Sequence, residues 1–224
     1  MKMFSAGTLW IAGFLLAYPV YANIDTCRIL CDANWLAEVE VAELRDILEG
    51  EAQSEINGRD DFDWTPLHLA ARWSRAEVIE VLIHAGARLD AVTEFTGQTP
   101  MHSAVASGQV QNMESLILAG ASIESRCLKG GTPLHWAAQH GSVQIMGKLI
   151  DAGAMLEARD QRGYTPLHWA AKKGTPDKLH LLIEAGANMK ARTGAGQMPG
   201  DLATANHRVH GSLVYWKLHD ARFD

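Results

Sequence analysis

Apolar residues recur three and four positions apart in four short segments of the chain, which follow one another at intervals of 34, 33 and 33 residues. Residues with this spacing lie on one face of an α-helix, so each segment predicts a helix with one apolar side. A glycine, which suits the left-handed conformation at a helix end, follows each segment at a constant distance. The segments begin at Ile79, Met113, Met146 and Leu179, and the glycines are Gly86, Gly120, Gly153 and Gly186.

A Thr-Pro-Leu-His tetrad, with Met in place of Leu in one copy, begins 14 residues before each of these segments. Threonine is a favourable N-cap because its hydroxyl accepts a hydrogen bond from a free backbone N–H, and proline is favoured at the first helical position. Each tetrad therefore predicts the start of a further helix, which gives two helices per unit. The tetrads occupy residues 65–68, 99–102, 132–135 and 165–168, and a degenerate Met-Pro-Gly-Asp copy occupies 198–201.

A fixed period of this size predicts a stack of small, similar units. In its period and its Thr-Pro-Leu-His-x-Ala motif, the chain resembles ankyrin repeat proteins over roughly residues 42–224. The resemblance implies an all-α repeat solenoid: an ankyrin stack of helix–turn–helix units, with β-turn fingers between the helix pairs and degenerate end caps. It also implies that each tetrad histidine bonds the threonine hydroxyl and nearby backbone. The residues assigned this structural role are Thr65, His68, Thr99, His102, Thr132, His135, Thr165 and His168.

The repeats divide the chain into successive segments. We expect a signal peptide at residues 1–22, a cysteine-containing lead segment at 23–34 and a degenerate N-capping repeat at 35–63. Four ankyrin repeats then occupy 64–97, 98–130, 131–163 and 164–196, and a C-capping repeat occupies 197–224. The 34-residue step predicts one extra residue in the connector at 87–98. Trp35 and Leu36 are expected to cover the first repeat, and Tyr215 and Trp216 to seal the last.

The N-terminal sequence is typical of an export signal. It contains one lysine, an apolar stretch at residues 4–17 and small residues at Val20 and Ala22, which predicts cleavage after Ala22. The alternative is an uncleaved membrane anchor, but the apolar run is shorter than the ~20 residues that a spanning helix needs. The amino-acid sequence of residues 211–222 is similar to that of the last repeat of exported bacterial ankyrin repeat proteins. We therefore expect a periplasmic or secreted protein with no membrane association after signal cleavage.

Three cysteines remain after that cleavage. Cys27 and Cys31 lie four residues apart before the repeats, and export permits a disulfide between them, although two free thiols are equally compatible with the sequence. Cys127 occupies the place in its connector that Asp60, Glu94 and Asp160 occupy in theirs. It is interpreted as a harmless free cysteine, a redox-sensitive thiol or one half of an intermolecular bridge.

Ten histidines invite a metal-binding or catalytic interpretation. The tetrad histidines are separated by whole repeats, about 10 Å in a stack, whereas a shared metal needs ligand nitrogens ~2 Å away. His207 and His210 have the spacing of one helical face, but no cysteine or carboxylate cluster accompanies them. The pairs His140–Ser142 and His210–Ser212 lack a third, orienting group. We predict no enzyme, no cofactor and no metal, and the net charge of −6 argues against nucleic-acid binding.

In the ankyrin family, partners bind the fingers and the adjacent side of each first helix, so the resemblance implies the same concave face here. At these positions the first repeats carry aromatic residues and the last carry basic ones, a composition that favours association. Alternatively, Phe62 and Phe95 pack on adjacent fingers. Trp136 and Trp169 are expected to pack between repeats, with ligand stacking as the alternative. The predicted partner-binding residues are Phe62, Trp64, Arg72, Trp73, Phe95, Gln98, Lys129, His140, Arg162, Tyr164, Lys172 and Lys173.

These observations predict an exported ankyrin-repeat module for protein–protein interaction. It would act as a monomeric scaffold or adaptor that holds an unidentified protein across the concave face. The alternative is a periplasmic stress-defence accessory that docks on an enzyme and carries a redox-responsive cysteine.

Overall fold

The computed structural model describes Cys27 and residues 29–223. The predicted signal peptide, residues 1–22, and its cleavage site lie outside these residues. The described part is a succession of short helices, which confirms the all-α repeat solenoid. They are α1 (Ala33–Glu38), α2 (Val41–Leu48), a 3₁₀-helix (Glu51–Glu55), α3 (Pro66–Trp73), α4 (Ala76–His84), α5 (Pro100–Ser107), α6 (Val110–Leu118), α7 (Pro133–Gln139), α8 (Val143–Asp151), α9 (Pro166–Lys173), α10 (Pro176–Glu184), α11 (Pro199–Ala203) and α12 (Leu213–Asp220).

Four helix pairs, α3–α4, α5–α6, α7–α8 and α9–α10, correspond to the four predicted ankyrin repeats. The first helix of each pair begins at the proline of its tetrad, with the tetrad threonine as N-cap. The second helix ends before the expected glycine, whose φ is positive in all four pairs. After α4, for example, the N–H of Ala87 donates to the carbonyl of Leu82, which satisfies one of the free carbonyls at the helix end.

The core is an apolar column between the layer of first helices and the layer of second helices. First helices pack on first helices, as α3 does on α5, and second helices on second helices, as α4 does on α6. Each fully buried Leu, Ile or Met contributes about 2 kcal/mol, more than a typical exposed ion pair, so burial in this column stabilises the stack. The fully buried residues of the second helices include Ile79, Leu82, Met113, Leu116, Met146, Leu149, Leu179 and Leu182.

The connectors form fingers that share one hydrogen-bond scheme. The first residue of a finger donates its N–H to the carbonyl just before the next tetrad, and a residue with positive φ closes the turn. In the second finger these partners lie one residue further apart, so the extra residue of the 34-residue step lies at the tip of that finger. The donor–acceptor pairs are Asp60–Trp64, Thr93–Gln98, Cys127–Gly131, Asp160–Tyr164 and Thr193–Gln197.

This register corrects one sequence alignment. Counting back from the tetrads places Cys127 opposite Glu94, whereas the hydrogen bonds place it opposite Thr93. The count is wrong because the inserted residue follows Thr93 instead of preceding it. Thr93 Oγ1 accepts the N–H of Gln98, a bond that the Asp160 carboxylate makes in its own finger with Tyr164 N–H.

Arginines tie neighbouring fingers together. Arg126 Nη1 donates to the Gly130 carbonyl in its own finger at 2.9 Å and to the Arg159 carbonyl of the next repeat at 2.7 Å. Arg159 repeats the second of these bonds with the Arg192 carbonyl at 2.6 Å. The fingers are therefore held in a fixed relation to one another along the stack.

The N-terminal cap begins earlier than expected. Helix α1 starts at Ala33 rather than at 35, because the Asp32 carboxylate accepts the N–H groups of Asn34 and Trp35 and acts as the N-cap. Leu36 is fully buried and Trp35 is half-buried against the core, in keeping with their predicted covering position. Cys27 and Cys31 form a disulfide, with a Cα–Cα distance of 5.4 Å.

The C-terminal cap is closed by α12. Tyr215 and Leu218 are buried, whereas Trp216 is 50% exposed, so the expectation that Trp216 seals the stack is wrong. Adjacent residues of a helix point about 100° apart, and Tyr215 facing the core turns Trp216 outward. In the degenerate tetrad, the Asp201 carboxylate accepts the Met198 N–H at 2.8 Å and replaces the usual histidine.

Candidate protein-binding face

The tetrad histidines are structural groups inside the stack. In the tetrad of α7, the N–H of Thr132 donates to His135 Nδ1 at 3.1 Å, and the threonine hydroxyl lies 2.9 Å from the same nitrogen. Because Nδ1 accepts the backbone proton, Nε2 carries the ring proton and donates it to the Tyr164 carbonyl at 3.0 Å. The other three tetrads repeat this arrangement, with carbonyl partners Gln98 for His68, Gly131 for His102 and Gln197 for His168.

Burial keeps these imidazoles neutral. Desolvation lowers the pKa of His68 and of His102 from 6.5 to about 4, although the hydrogen bond to the next carbonyl acts in the opposite direction. Burial lowers the pKa of His135 and His168 as well. Each histidine joins one repeat to the finger of the next, so these groups shape the binding face without being part of it.

We define the inner face as the exposed finger tips, the exposed side of α3, α5, α7 and α9, and the loop between α11 and α12, which shares a pocket with the ends of α7 and α9. At its N-terminal end, Phe62 is 75% exposed and Phe95 is 74% exposed. Neither ring is buried against an adjacent finger, so the packing alternative is wrong. Phe95 is the middle residue of the three-residue tip of the second finger, whereas Phe62 belongs to a two-residue tip.

A tryptophan cluster lies beside these fingers. The rings of Trp64 and Trp73 stack, with centroids 5.3 Å apart and planes inclined by 25°. The Arg72 guanidinium lies 5.7 Å from the Trp64 ring and 5.3 Å from the Trp73 ring, within cation–π range. Trp73 nevertheless remains 47% exposed. The cluster therefore presents a rigid apolar surface whose geometry is set before any partner arrives.

The equivalent position in the fourth repeat differs from the prediction. Tyr164 is only 8% exposed, so its ring offers a partner almost no area, and its assignment as a partner-binding residue is corrected. Trp169 covers the ring at a centroid distance of 5.3 Å, and the Lys172 ammonium lies 5.2 Å from it. Tyr164 thus supports Lys172, which is half-buried beside the exposed Lys173.

The finger tips change character along the stack. Phe62 shares its tip with Asp61, and Phe95 shares its tip with Glu94. The third tip carries Lys129 beside the exposed Leu128, and the fourth carries Arg162. Gln98 is half-buried, and its carbonyl accepts bonds from His68 and Thr93, so its backbone contributes to the finger. His140 is exposed at the end of α7. The inner face therefore runs from aromatic and acidic to basic.

Trp136 and Trp169 pack between repeats. Trp136 is half-buried and meets the His102 ring edge-on at 5.9 Å. Trp169 is half-buried too, and its indole N–H donates to Asp160 Oδ2 at 3.0 Å. These contacts occupy the rings within the fold, so they give no support to ligand stacking.

Cys127 is buried at the base of the third finger, with 8% exposure. A thiol in this position meets solution oxidants slowly, which weakens the redox interpretation. We expect iodoacetamide to alkylate Cys127 about tenfold or more slowly in the folded protein than in concentrated guanidinium chloride. Mass spectrometry of the quenched reaction measures both rates. Equal rates would show that the thiol is open in the folded state.

Two further residues of the inner face were missed by sequence reasoning. His207 and Arg208 lie in the loop between α11 and α12, where the degenerate repeat no longer follows the tetrad spacing. The longer gap to the next glycine was the available signal. Since His207 and His210 both lie in this loop, they do not share a helical face, and among the described residues no group of three His, Cys, Asp or Glu side chains could hold a metal. Within the same residues no helix is long and apolar enough to cross a bilayer.

Comparison with known proteins decides the family. The family model for ankyrin repeats, in three copies, matches residues 37–127 and 111–193, which together exceed half of the chain. The chain belongs to the ankyrin repeat family. This family is generally a non-catalytic interaction scaffold, and its repeats indicate a protein–protein interaction module.

Several curated proteins share the repeats. NF-kappa-B inhibitor alpha of Gallus gallus is 39% identical over 61 residues, 27% of this chain and 19% of that protein. BRCA1-associated RING domain protein 1 of Caenorhabditis elegans is 33% identical over 97 residues, 43% of this chain and 13% of that protein. SMC5-SMC6 complex localization factor protein 1 of Homo sapiens is 30% identical over 78 residues, 34% of this chain and 7% of that protein. The match to this chain thus spans less than a fifth of the length of each of these relatives.

Proposed function

We propose that this ankyrin repeat protein is an exported scaffold or adaptor that binds a partner protein through the inner face. The observation that carries the proposal is the group of exposed aromatic side chains on that face: Phe62, Phe95 and Trp73. None of the three is required to be apolar by the fold, and exposed aromatic groups on a rigid surface favour association. The proposed state of the free protein is a monomer.

The inner face has the properties of a preorganised interface. The tetrad histidines and the finger arginines fix each finger to its neighbour, and the Arg72 guanidinium holds Trp64 and Trp73 together. Side chains that are already ordered lose little conformational freedom on binding, so more of the contact energy appears as affinity. An extended, rigid and partly aromatic surface suits a folded protein or a peptide segment better than a small metabolite.

Export is supported by the N-terminal sequence and by the Cys27–Cys31 pair. The apolar stretch and small residues that end at Ala22 are those of a signal peptide. A disulfide close after this site agrees with an oxidising compartment, since disulfides persist there. The proposed location is the periplasm or the extracellular medium, with no membrane association after cleavage.

The experiment that tests the function compares two triple variants. In the first, Phe62→Ser, Phe95→Ser and Trp73→Ala remove the exposed aromatic groups of the inner face. Phe62 and Phe95 are about three-quarters exposed, and Trp73 loses its stacking on Trp64 and its contact with Arg72, so we expect the free energy of unfolding to fall by about 1 kcal/mol. Partner capture from the native cell envelope is expected to fall about tenfold or more. Quantitative mass spectrometry identifies the captured protein, and calorimetry with that purified protein measures the loss of affinity.

The matched control replaces three exposed apolar residues elsewhere. Leu118, Met155 and Leu213 are 87%, 61% and 91% exposed and lie away from the inner face, so their change to serine removes comparable apolar surface. This control is expected to retain the partner. If both variants capture the same proteins as the unmodified chain, the inner face is not the binding surface.

A further inference from the structure

A pocket of about 330 Å³ lies at the C-terminal end of the inner face. Three elements form its walls: the end of α7, the end of α9 and the loop between α11 and α12. Most of its polar side chains are basic. The lining residues are Gln139, His140, Lys172, Lys173, Ala205, Asn206, His207 and Arg208.

The loop that carries Arg208 is fixed in place by Asn206. This side chain is 5% exposed, and its Nδ2 donates to the carbonyls of Ala171 at 3.0 Å and Gly174 at 3.2 Å. Its Oδ1 accepts the N–H of Arg208 at 3.1 Å. The amide thus fixes the backbone of Arg208 to the end of α9, and the pocket is part of the folded structure.

The pocket concentrates positive charge without a matching carboxylate. In residues 29–223, the ion pairs of the structure involve neither Lys172, Lys173 nor Arg208. Behind the pocket, Lys178 is 6% exposed and donates to the Ala138 carbonyl at 3.3 Å. Burial lowers the pKa of His140, and the positive charges of Lys173 and Lys178 lower it further. Burial and the charge of Arg208 lower the pKa of Lys178. The positive charges of Lys173, Lys178 and Arg208 repel one another, and a bound anion would relieve that repulsion.

We propose that this pocket binds the carboxylates of an acidic segment of the partner protein. The inference rests on the proposed function and names the chemistry of the partner at one end of the interface. The chain itself has a net charge of −6, so the basic pocket is a local departure from the overall charge. In this arrangement, the aromatic side chains of the first two fingers contact apolar groups of the partner. The basic pocket contacts Asp or Glu side chains of the same partner.

A protein segment fits this face better than a nucleic acid does. A nucleic acid is charged along its whole length, and its backbone would meet Asp61 and Glu94 at the first two finger tips. A polypeptide is able to place acidic residues at the pocket and apolar ones at the fingers. Free phosphate shares the anionic chemistry of a carboxylate, and separate titrations with each anion distinguish the two sources.

The test is a calorimetric titration of the full folded protein with hexaglutamate peptide, hexathymidylate and inorganic phosphate in turn. We expect hexaglutamate to bind and its affinity to fall as salt rises, because the contacts are electrostatic. We expect Lys173→Glu with Arg208→Glu to weaken this binding about tenfold or more. The matched control, Lys190→Glu with Lys217→Glu, changes the net charge equally at exposed sites outside the pocket and is expected to retain binding.

A neutral pair, Lys173→Gln with Arg208→Gln, checks the site if charge reversal disturbs folding, and it is expected to weaken binding in the same direction. In the unmodified protein, the imidazole of His140 should titrate at higher pH once hexaglutamate saturates the pocket, which NMR measures directly. Absence of hexaglutamate binding, or equal weakening in the control pair, would overturn the inference. Tighter binding of hexathymidylate or phosphate than of hexaglutamate would also overturn it.

This titration uses no partner protein, so its failure is distinguishable from failure of the proposed function. If hexaglutamate does not bind while the aromatic triple variant still loses partner capture, the scaffold function stands and only the acidic-segment inference is wrong. If hexaglutamate binds and the triple variant keeps its partner, the assignment of the exposed aromatic side chains to partner binding is wrong.

Discussion

Replacing His102 with alanine is expected to destabilise the folded protein by about 3 kcal/mol, at the upper end of the usual range for single substitutions. The side chain is fully buried, and its ring accepts the Thr99 N–H at 3.3 Å and bonds the Gly131 carbonyl of the next finger at 3.2 Å. Removing the ring leaves both backbone groups buried without this partner, at about 1–3 kcal/mol for each. The lost volume adds a cavity between two repeats.

Urea unfolding at neutral pH, followed by far-ultraviolet circular dichroism, measures this loss. The control is His180→Ala, because His180 is exposed on α10 and its ion-pair contact is with Glu184 one turn away at 3.1 Å. That change is expected to stay within about 0.5 kcal/mol of the unmodified protein. A loss below about 1 kcal/mol for His102→Ala would show that water or a neighbour replaces the imidazole in its hydrogen bonds.

Features determined within one repeat were predictable from the sequence. Thr132 and Pro133 set the start of α7, and Gly153 sets the end of α8, through local backbone preferences that neighbouring repeats do not alter. The apolar stripe of each second helix predicted its buried side in the same way. The same helix-start and helix-end signals occur in all four repeats. Because each repeat therefore folds in the same way, the stacked architecture was predictable from the sequence alone.

Features that depend on residues outside the repeat signature were not predictable to the same degree. The inserted residue changed the register of the second finger, and only its hydrogen bonds showed that Phe95 lies in the middle of an enlarged tip. Tyr164 occupies a position where the family resemblance implied partner contact, but Trp169 and Lys172 cover it. Arg208 reaches the inner face through a loop without tetrad spacing. In each case a contact outside the local repeat pattern decides what a partner meets.

Acidification from pH 6.5 to pH 5 is expected to destabilise the protein by about 3 kcal/mol through His68 and His102 alone. Burial lowers the pKa of each imidazole to about 4, whereas the unfolded chain titrates near 6.5. Between these values the unfolded state binds more protons than the folded state, so the free energy of unfolding rises with pH. The stabilisation is fully present above pH 6.5 and is lost as the pH falls towards 4. Each histidine contributes about 1.5 kcal/mol over this interval, since one pKa unit corresponds to about 1.4 kcal/mol and the unfolded imidazole is already half protonated at pH 6.5.

Urea midpoints at a series of pH values between 5 and 7.5 measure this dependence. The His102→Ala variant serves as the internal control, because it lacks one of the two titrating groups and should lose about 1.5 kcal/mol less between pH 6.5 and pH 5. The exposed Leu118→Ser change removes no titrating group and should retain the full dependence. Equal stability at pH 6.5 and pH 5 would mean that the tetrad histidines take up protons inside the fold, and the hydrogen bonds that join each repeat to the next finger would then need a different description.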